Sequence, residues 1–363
     1  MKRRAWTHAV LSATLTAAIT LACNGRVAHT EARGEAGATG ATRGNESAPP
    51  ADPHLDARDV EGGTKQAPPP GWEECHHPTV EKDCVDGWCR IPPGCFWMGS
   101  PEGTWARGMY SEPYGAAHVD HAFRIQQMEA TRGEWTEAGF PIPTTVSARP
   151  ADWCRDPECP VTDVVWFDVL AYANARSEQH DPPLQPCYEL IDCTGTAGID
   201  LSCRKVRSTT ESAFDCEGFR VPSEMEWEYA ARAGSRTDLY VGSVTVTERS
   251  GACEPDPALV PLAWYCANSR TTPHRGGEKQ PNGWGLYDVV GNVFELTADR
   301  SNVVLPSPPW RDLEPDFTPA MRVSKGCSYD TWSSLCRLTG ESAHSWDRFG
   351  MSGEGFRLVQ TLR

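Results

Sequence analysis

The chain has 363 residues, 49 of them acidic and 34 basic, and its formal net charge is −15. A chain this acidic is poorly suited to holding nucleic acid or an anionic lipid surface by long-range attraction. Its 14 tryptophans, 32 glycines and 30 prolines favour a loop-rich fold with short strands and few helices.

Residues 1–22 have the features of an export signal. A basic start, Lys2 to Arg4, precedes an apolar stretch too short to span a bilayer comfortably. Small residues then lead to Cys23, as in a bacterial lipoprotein signal, in which the cysteine is acylated and becomes the mature N-terminus. An ordinary secretory signal that contains a cysteine is the alternative. Both predict export; the first also predicts a lipid anchor in a membrane, in the periplasm or at the cell surface.

Residues 23–70 are rich in alanine, glycine and proline and contain no aromatic side chain. Such a segment cannot bury enough apolar surface to offset chain entropy, so we expect a disordered tether. A cysteine-rich lead-in (71–90) and a globular domain (91–363) follow.

The first predicted helix covers residues 165–177. Its apolar side chains recur at i, i+3, i+4 and i+7, the spacing of one helix face. Asp163 is the expected N-cap.

The second predicted helix covers residues 223–234. Ser223 and Glu226 have capping-box spacing, and Gly234 is a natural stop. We expect its three glutamates to form a solvated face: Glu224, Glu226 and Glu228.

Five stretches occur in the same order as the signatures of one known family. They are FWMGS at 96–100, PVTDVVWFDVLAYAN at 160–174, FRVPSEMEWEYAARAG at 219–234, PNGWGLYDVVGNVFELTAD at 281–299 and GEGFRLV at 353–359. The chain therefore resembles the formylglycine-generating (sulfatase-modifying factor) family. The resemblance implies an α+β fold, an elaborated C-type-lectin-like domain with little regular secondary structure, here rich in disulfides.

The resemblance also implies a structural calcium ion. The matching positions assign side-chain oxygens to Asp288 and Glu295 and backbone carbonyls to Gly291 and Val293. Calcium binds six to eight hard oxygen ligands, which a tight glycine turn can gather. The alternative is that Asp288 caps a turn and Glu295 faces solvent.

Oxidising members of the family hold copper(I) with two thiols, and the corresponding segment here is KGCSYDTWSSLC at 325–336. Cys336 matches the second thiol. Thr331 stands at the first, and a hydroxyl cannot replace a thiolate on copper(I). Cys327 is an additional cysteine, so Cys327 and Cys336 are either a structural cross-link or a rebuilt sulfur pair.

Fourteen cysteines remain after Cys23, an even number that permits complete pairing in an exported chain. Sequence alone does not fix their connectivity. Proximity suggests four local pairs, with Cys327 and Cys336 left for each other: Cys154–Cys159, Cys187–Cys193, Cys203–Cys216 and Cys253–Cys266.

His118 and His121 flank a predicted strand. Three residues apart, they point to opposite faces and cannot chelate one metal. We expect them to face solvent or to pack.

Two functions follow as hypotheses. In the first, the ancestral oxidation of cysteine is lost or altered, and the calcium-bound domain binds an unknown protein or glycan. In the second, the protein is an active oxidase that converts a protein cysteine to formylglycine with O2 and copper, using Cys336 and Cys327.

Overall fold

A computed structural model describes residues 76–101, 114–143, 153–245, 253–344 and 353–363. These residues belong to the compact unit Lys65–Arg363. The expected signal segment, Cys23 and the tether lie outside the described residues. Within the described ranges, every helix is too short or too polar to cross a membrane.

Regular secondary structure is sparse, as the composition predicts. The described helices are α1 (Arg132–Glu137), α2 (Trp166–Glu178) and α3 (Glu224–Arg232). The described strands are β1 (Cys84–Val85), β2 (Trp88–Ile91), β3 (Gly94–Gly99), β4 (Tyr114–Val119), β5 (Ala122–Gln126), β6 (Tyr188–Thr194), β7 (Ser202–Ser208), β8 (Phe294–Arg300), β9 (Trp310–Arg311), β10 (Arg322–Lys325), β11 (Glu341–His344), β12 (Glu354–Gly355) and β13 (Val359–Leu362).

The described strands form small sheets that join distant parts of the chain. One has the order β1-β2-β5-β13, a second β11-β10-β8-β12, a third β3-β4-β9, and β6 pairs with β7 as a hairpin. Most neighbours are antiparallel, but β12 pairs with β8 and β9 with β4 in parallel. Mixed sheets with few helices are the α+β architecture expected from the sequence.

Two buried clusters of apolar side chains hold these elements together. The first packs α3 against the sheets and includes Trp227, Tyr229 and Trp284. The second surrounds α2 and includes Trp135 and Trp166. Burying one large apolar side chain contributes on the order of 1.5–3 kcal/mol, so these rings account for much of the core.

Helix α2 begins one residue later than predicted, and its expected N-cap is wrong. The cap position is Val165, which makes no side-chain cap hydrogen bond. Asp163 has a φ of +65°, and its backbone N–H donates to the carbonyl of Glu354 at 3.1 Å. A contact from 191 residues away in the chain therefore fixes Asp163 outside the helix, and a local pattern could not show it.

Helix α3 begins with the predicted capping box. The Ser223 Oγ accepts from the Glu226 N–H at 3.1 Å, and a Glu226 carboxylate oxygen accepts from the Ser223 N–H at 2.9 Å. Ala233 and Gly234 end the helix in left-handed conformation, with φ of +45° and +83°.

The solvated face predicted for α3 is wrong. Glu226 and Glu228 are each only 1% exposed, and Glu224 is half-buried. Cations from other segments meet them, because Arg220 contacts Glu226 at 2.6 Å and Lys325 contacts Glu228 at 3.1 Å. Helical periodicity records which positions are apolar and cannot show that a charged position is buried with a partner.

Some of the described disulfides are the pairs that proximity in sequence predicts, and others are not. Cys154–Cys159, Cys253–Cys266 and Cys327–Cys336 are present as expected, and Cys84 is joined to Cys89. The expected Cys187–Cys193 and Cys203–Cys216 pairs are wrong. The β6–β7 register places Cys193 opposite Cys203; these two are joined, and Cys187 pairs with Cys216. Cys95 is also disulfide-bonded.

Candidate functional site

The loop after β10 carries the two cysteines that matter most for chemistry. Gly326 turns the chain with a φ of +79°, and a short 3-10 turn at Ser333–Leu335 brings Cys336 back beside Cys327. Their Cα atoms are 5.0 Å apart and their sulfurs are bonded. Both residues are fully buried in the first apolar cluster. The pair is a cross-link within the core.

Thr331 occupies the position where the oxidising enzymes have their first thiol, and its hydroxyl is used locally. The Thr331 Oγ1 accepts from the Ser328 N–H at 3.0 Å and contacts the Ser328 hydroxyl at 3.0 Å. Its carbonyl accepts from the Cys266 N–H at 3.2 Å. The side chain therefore closes its own turn and offers only a hard oxygen.

These residues do not fit a copper(I) site. Copper(I) favours thiolate ligands, and both sulfurs of this loop are consumed by one S–S bond. In the part of the chain that the structure describes, no three His, Cys, Asp or Glu side chains are arranged to hold a metal ion. This finding does not test the predicted calcium site, because that site has only two carboxylates, from Asp288 and Glu295, and two backbone carbonyls.

Asp288 lies in a left-handed turn, with a φ of +55°. One carboxylate oxygen accepts from the Gly277 N–H at 2.8 Å, while the other is buried without a hydrogen-bond partner. Burial raises the pKa of Asp288 to about 6, opposed by the Gly277 N–H and by Arg357. The turn also needs glycine at 291, because a Cβ there would stand 2.5 Å from the Trp264 carbonyl oxygen.

Glu295, on β8, does not face solvent. Its two oxygens accept from the Nε and Nη2 of Arg357 at 2.6 Å each, and the Trp227 indole N–H donates to it at 2.6 Å. Glu295 and Arg357 are both fully buried. This charge-assisted fork fixes the carboxylate in the core.

A third carboxyl group belongs to the same region, and sequence reasoning missed it. Glu129 is 2% exposed, and neither of its side-chain oxygens has a hydrogen-bond partner. Burial, with the nearby Asp288 charge, raises the pKa of Glu129 well above its usual range. The signal in the sequence is its place in MEATRGEW at 128–135, a further stretch that resembles the opening strands of the family.

Glu129, Asp288 and Glu295 thus share one buried cation, Arg357. A buried carboxylate needs a proton or a positive charge nearby. The unpartnered oxygen of Asp288 is what a hard cation such as calcium would satisfy, so Asp288 fits the calcium site that the resemblance implies, whereas both oxygens of Glu295 already accept from Arg357. Glu129 is not among the residues that the resemblance assigns to that site.

A second ionic cluster, around Glu226 of α3, includes His121. His118 is buried in β4, and His121 contacts Glu226 at 2.8 Å and Asp312 at 3.2 Å. Burial disfavours charge on His121, but the hydrogen bonds to Asp312 and Glu226 outweigh it and raise its pKa to about 9. Neither histidine faces solvent; both pack.

The fold and these two buried regions define a class: a disulfide-reinforced C-type-lectin-like α+β domain with an internal carboxylate cluster and a sealed sulfur pair. The profile of the Sulfatase-modifying factor enzyme 1-like domain (FGE-sulfatase) matches residues 76–362. The chain therefore belongs to the sulfatase-modifying factor family.

Curated relatives include two kinds of protein. The chain is 27% identical over 207 residues to the "Chaperone protein LppX" of Paenibacillus barcinonensis, covering 52% of this chain and 66% of that protein. It is 34% identical over 124 residues to the formylglycine-generating enzyme of Thermomonospora curvata, covering 33% of this chain and 41% of the enzyme. The chain thus spans less than two thirds of these relatives.

Solved structures share the fold. Treponema denticola variable protein 1 has a TM-score of 0.57 at 21% identity, covering 76% of this chain and 95% of that one. PvdO from Pseudomonas aeruginosa has a TM-score of 0.52 at 22% identity, covering 78% and 98%. At such identities the likeness shows the fold alone.

Proposed function

We propose that this protein is an exported family member that has lost cysteine oxidation and acts as a binding module. The observation that carries the proposal is the Cys327–Cys336 bond: both sulfurs are buried and bonded to each other, and the position of the other ancestral thiol is the Thr331 hydroxyl. A substrate cysteine would find no thiolate and no copper ligand there.

Two further observations support a binding role outside the cytoplasm. Disulfides as numerous as these persist in oxidising compartments. The Paenibacillus relative is named a chaperone protein, a name that favours a binding role. Lipid attachment at Cys23 is the remaining part of this proposal, and it would hold the domain at a membrane through the tether.

Calcium is the proposed structural ion. Asp288 and Glu295, with the carbonyls of Gly291 and Val293, would hold it, and Glu129 lies close enough to interact electrostatically with Asp288. When bound, the ion would supply positive charge to a core that has more carboxyl groups than cations. The chain's own residues meanwhile orient the turn and exclude water.

The test is a copper(I) titration of the oxidised protein, together with an assay for conversion of a cysteine-containing sulfatase peptide to its aldehyde under O2. We expect no stoichiometric copper and no aldehyde. A variant that restores the family pattern, Cys327→Gly with Thr331→Cys, should gain copper affinity, and Cys327→Gly with Thr331→Ser is the matched control.

An active oxidase remains the alternative because of the 34% identity to the Thermomonospora enzyme. It would require reduction of Cys327–Cys336 and exposure of both sulfurs. Aldehyde formation by the wild-type protein, with or without mild reductant, would establish this alternative and end the proposal of a lost activity.

A further inference from the structure

A cavity of about 330 Å³ opens beside the sheet that contains β8, β10 and β11. Its lining includes neither the cysteine loop nor the Asp288 region. One wall is apolar and comprises Val303, Val304, Leu305, Trp310 and Leu313. The volume lies in the range typical of pockets for small molecules or side chains.

Acidic side chains also line the cavity. Five carboxyl groups line it against one basic side chain, Arg300, which is paired with Asp316 at 3.0 Å. The others are Glu224, Asp299, Glu314 and Glu341.

Two buried cations lie close to these carboxyl groups, and each interacts with several partners: Arg322 with Asp299 and Asp316, and Lys325 with the glutamates of α3 and β11. Lys325 is fully buried, and its Nζ lies 3.3 Å from Glu224, 3.1 Å from Glu228 and 3.6 Å from Glu341. Burial and the neighbouring Glu224 raise the pKa of Asp299 to about 7 and that of Glu341 to about 10. Among the described residues, the carboxyl groups around the cavity therefore outnumber the cations close to them, and a positive group entering the cavity would be stabilised there.

The edge of the sheet lies at the same place. Glu341 and Ser342 of β11 line the cavity, and within the described residues β11 pairs on one side only, with β10. An extended segment can therefore lie along this edge, as in strand addition, with its side chains directed into the cavity.

We propose that this cavity binds a lysine or arginine side chain flanked by apolar residues in a polypeptide partner. The charged head meets Asp299 and Glu224, while the aliphatic stem and its neighbours cover Val304 and Leu305, the arrangement that long cationic side chains favour. The inference rests on the proposed binding function and names the class of its partner.

The probe is a fluorescein-labelled pentapeptide, Ser-Leu-Lys-Leu-Ser, followed by fluorescence anisotropy on the disulfide-intact protein. Two matched peptides carry N-acetyl-lysine or glutamate at the centre. Both should bind weaker by about tenfold or more, because each lacks the cation for a charge-assisted contact. Equal affinity for the three peptides would overturn the proposal, as would free lysine amide binding as tightly as the peptide.

Two variants place the binding in this cavity. Val304 is 93% exposed at its mouth, so Val304→Lys adds a repelling charge without disturbing the core and should weaken binding by about tenfold. Val85→Lys is the control, because Val85 is also exposed, at 67%, and is not part of the lining. Asp299→Asn should weaken binding as well, with far-UV circular dichroism confirming the fold.

Binding that survives both Val304→Lys and Asp299→Asn would place the peptide elsewhere and refute this site, while leaving the proposed binding function intact. Loss of that function would instead be shown by aldehyde formation in the oxidation assay. The two failures are therefore distinguishable.

Discussion

Two buried regions of this domain have opposite electrostatic character. The Cys327–Cys336 pair is neutral and complete in itself, since each sulfur is the other's partner. The region around Glu129, Asp288 and Arg357 is charged and unbalanced, with carboxylate oxygens that lack hydrogen-bond partners.

The difference shows which features of the family a sequence can lose without changing the fold. A reactive thiol pair is a local feature, and one substitution at Thr331 together with a new cysteine converts it into a cross-link. The carboxylate cluster joins β8, the Asp288 turn and the segment before β13, because Arg357 also donates to the carbonyls of Gln126 and Tyr287. Changing it would affect several elements at once.

Removal of the shared cation should have the largest effect. Arg357→Gln leaves three buried carboxyl groups without a positive partner and should lower the free energy of unfolding by about 3–5 kcal/mol. Urea denaturation measures the change. The control is Arg311→Gln, which breaks the exposed pair with Asp120 and should cost at most about 1 kcal/mol. Equal losses in the two variants would contradict the view that the buried cluster is structural.

Removal of the Cys327–Cys336 disulfide should lower the free energy of unfolding by less than removal of Arg357. Cys327→Ala with Cys336→Ala releases a loop of nine residues' separation and should lower stability by about 2–4 kcal/mol. Cys193→Ala with Cys203→Ala is the matched control, since its separation is ten residues but Cys193 is exposed. The buried pair should lose more, because truncating two buried sulfurs also leaves a cavity. A larger loss in the hairpin would argue against that explanation.

The pairs of His121 with Glu226 and Asp312 predict a pH-dependent contribution to the free energy of unfolding, smaller than that of the disulfide. The pKa of His121 is raised from 6.5 to about 9 in the folded protein, so its stabilisation is fully present below the unfolded pKa and is lost as pH rises through 9. His121→Gln should therefore cost about 1–2 kcal/mol at pH 6 and little above pH 10. A pH-independent difference, measured by urea denaturation at both values, would mean that packing alone accounts for His121.

Calcium should have the smallest measurable effect. Added calcium should raise the melting temperature of the wild-type protein by about 2–4 °C, the shift that roughly 1 kcal/mol gives a domain of this size. Asp288→Asn should abolish the response. Magnesium is the control ion, because it demands near-ideal octahedral geometry and dehydrates reluctantly. An unchanged melting temperature with calcium would remove the ion from the proposal.

Much of the fold could be predicted from local pattern. The capping box of Ser223 and Glu226 and the existence of α2 depend on neighbours in sequence, which spacing records, although α2 begins one residue later than predicted. The position of Asp163 and the burial of Glu226 and Glu228 could not be predicted, because partners distant in the chain determine them. The Cys193–Cys203 pair likewise required the register of β6 and β7.

The candidate sites divide in the same way. The exchange of a thiol for the Thr331 hydroxyl is visible in the sequence, because it replaces sulfur, which copper(I) favours, by oxygen. The role of Glu129 is not visible, since no spacing rule connects residue 129 with Asp288 and Arg357. The acidic cavity is similarly formed by segments that lie far apart in the chain, from Glu224 to Glu341.

The placement of β13 has a consequence for how the protein is made. Val359–Leu362 lie beside β5 in the first sheet, and Arg357 lies two residues before Val359, so this sheet is completed by a strand from the end of the domain. The ribosome must translate almost the whole domain before β13 can complete this sheet. The cysteines that are translated earlier can therefore meet wrong partners before the sheet forms. Correct disulfide pairing should therefore depend on folding after synthesis rather than during it, and a prematurely terminated chain should accumulate scrambled pairs.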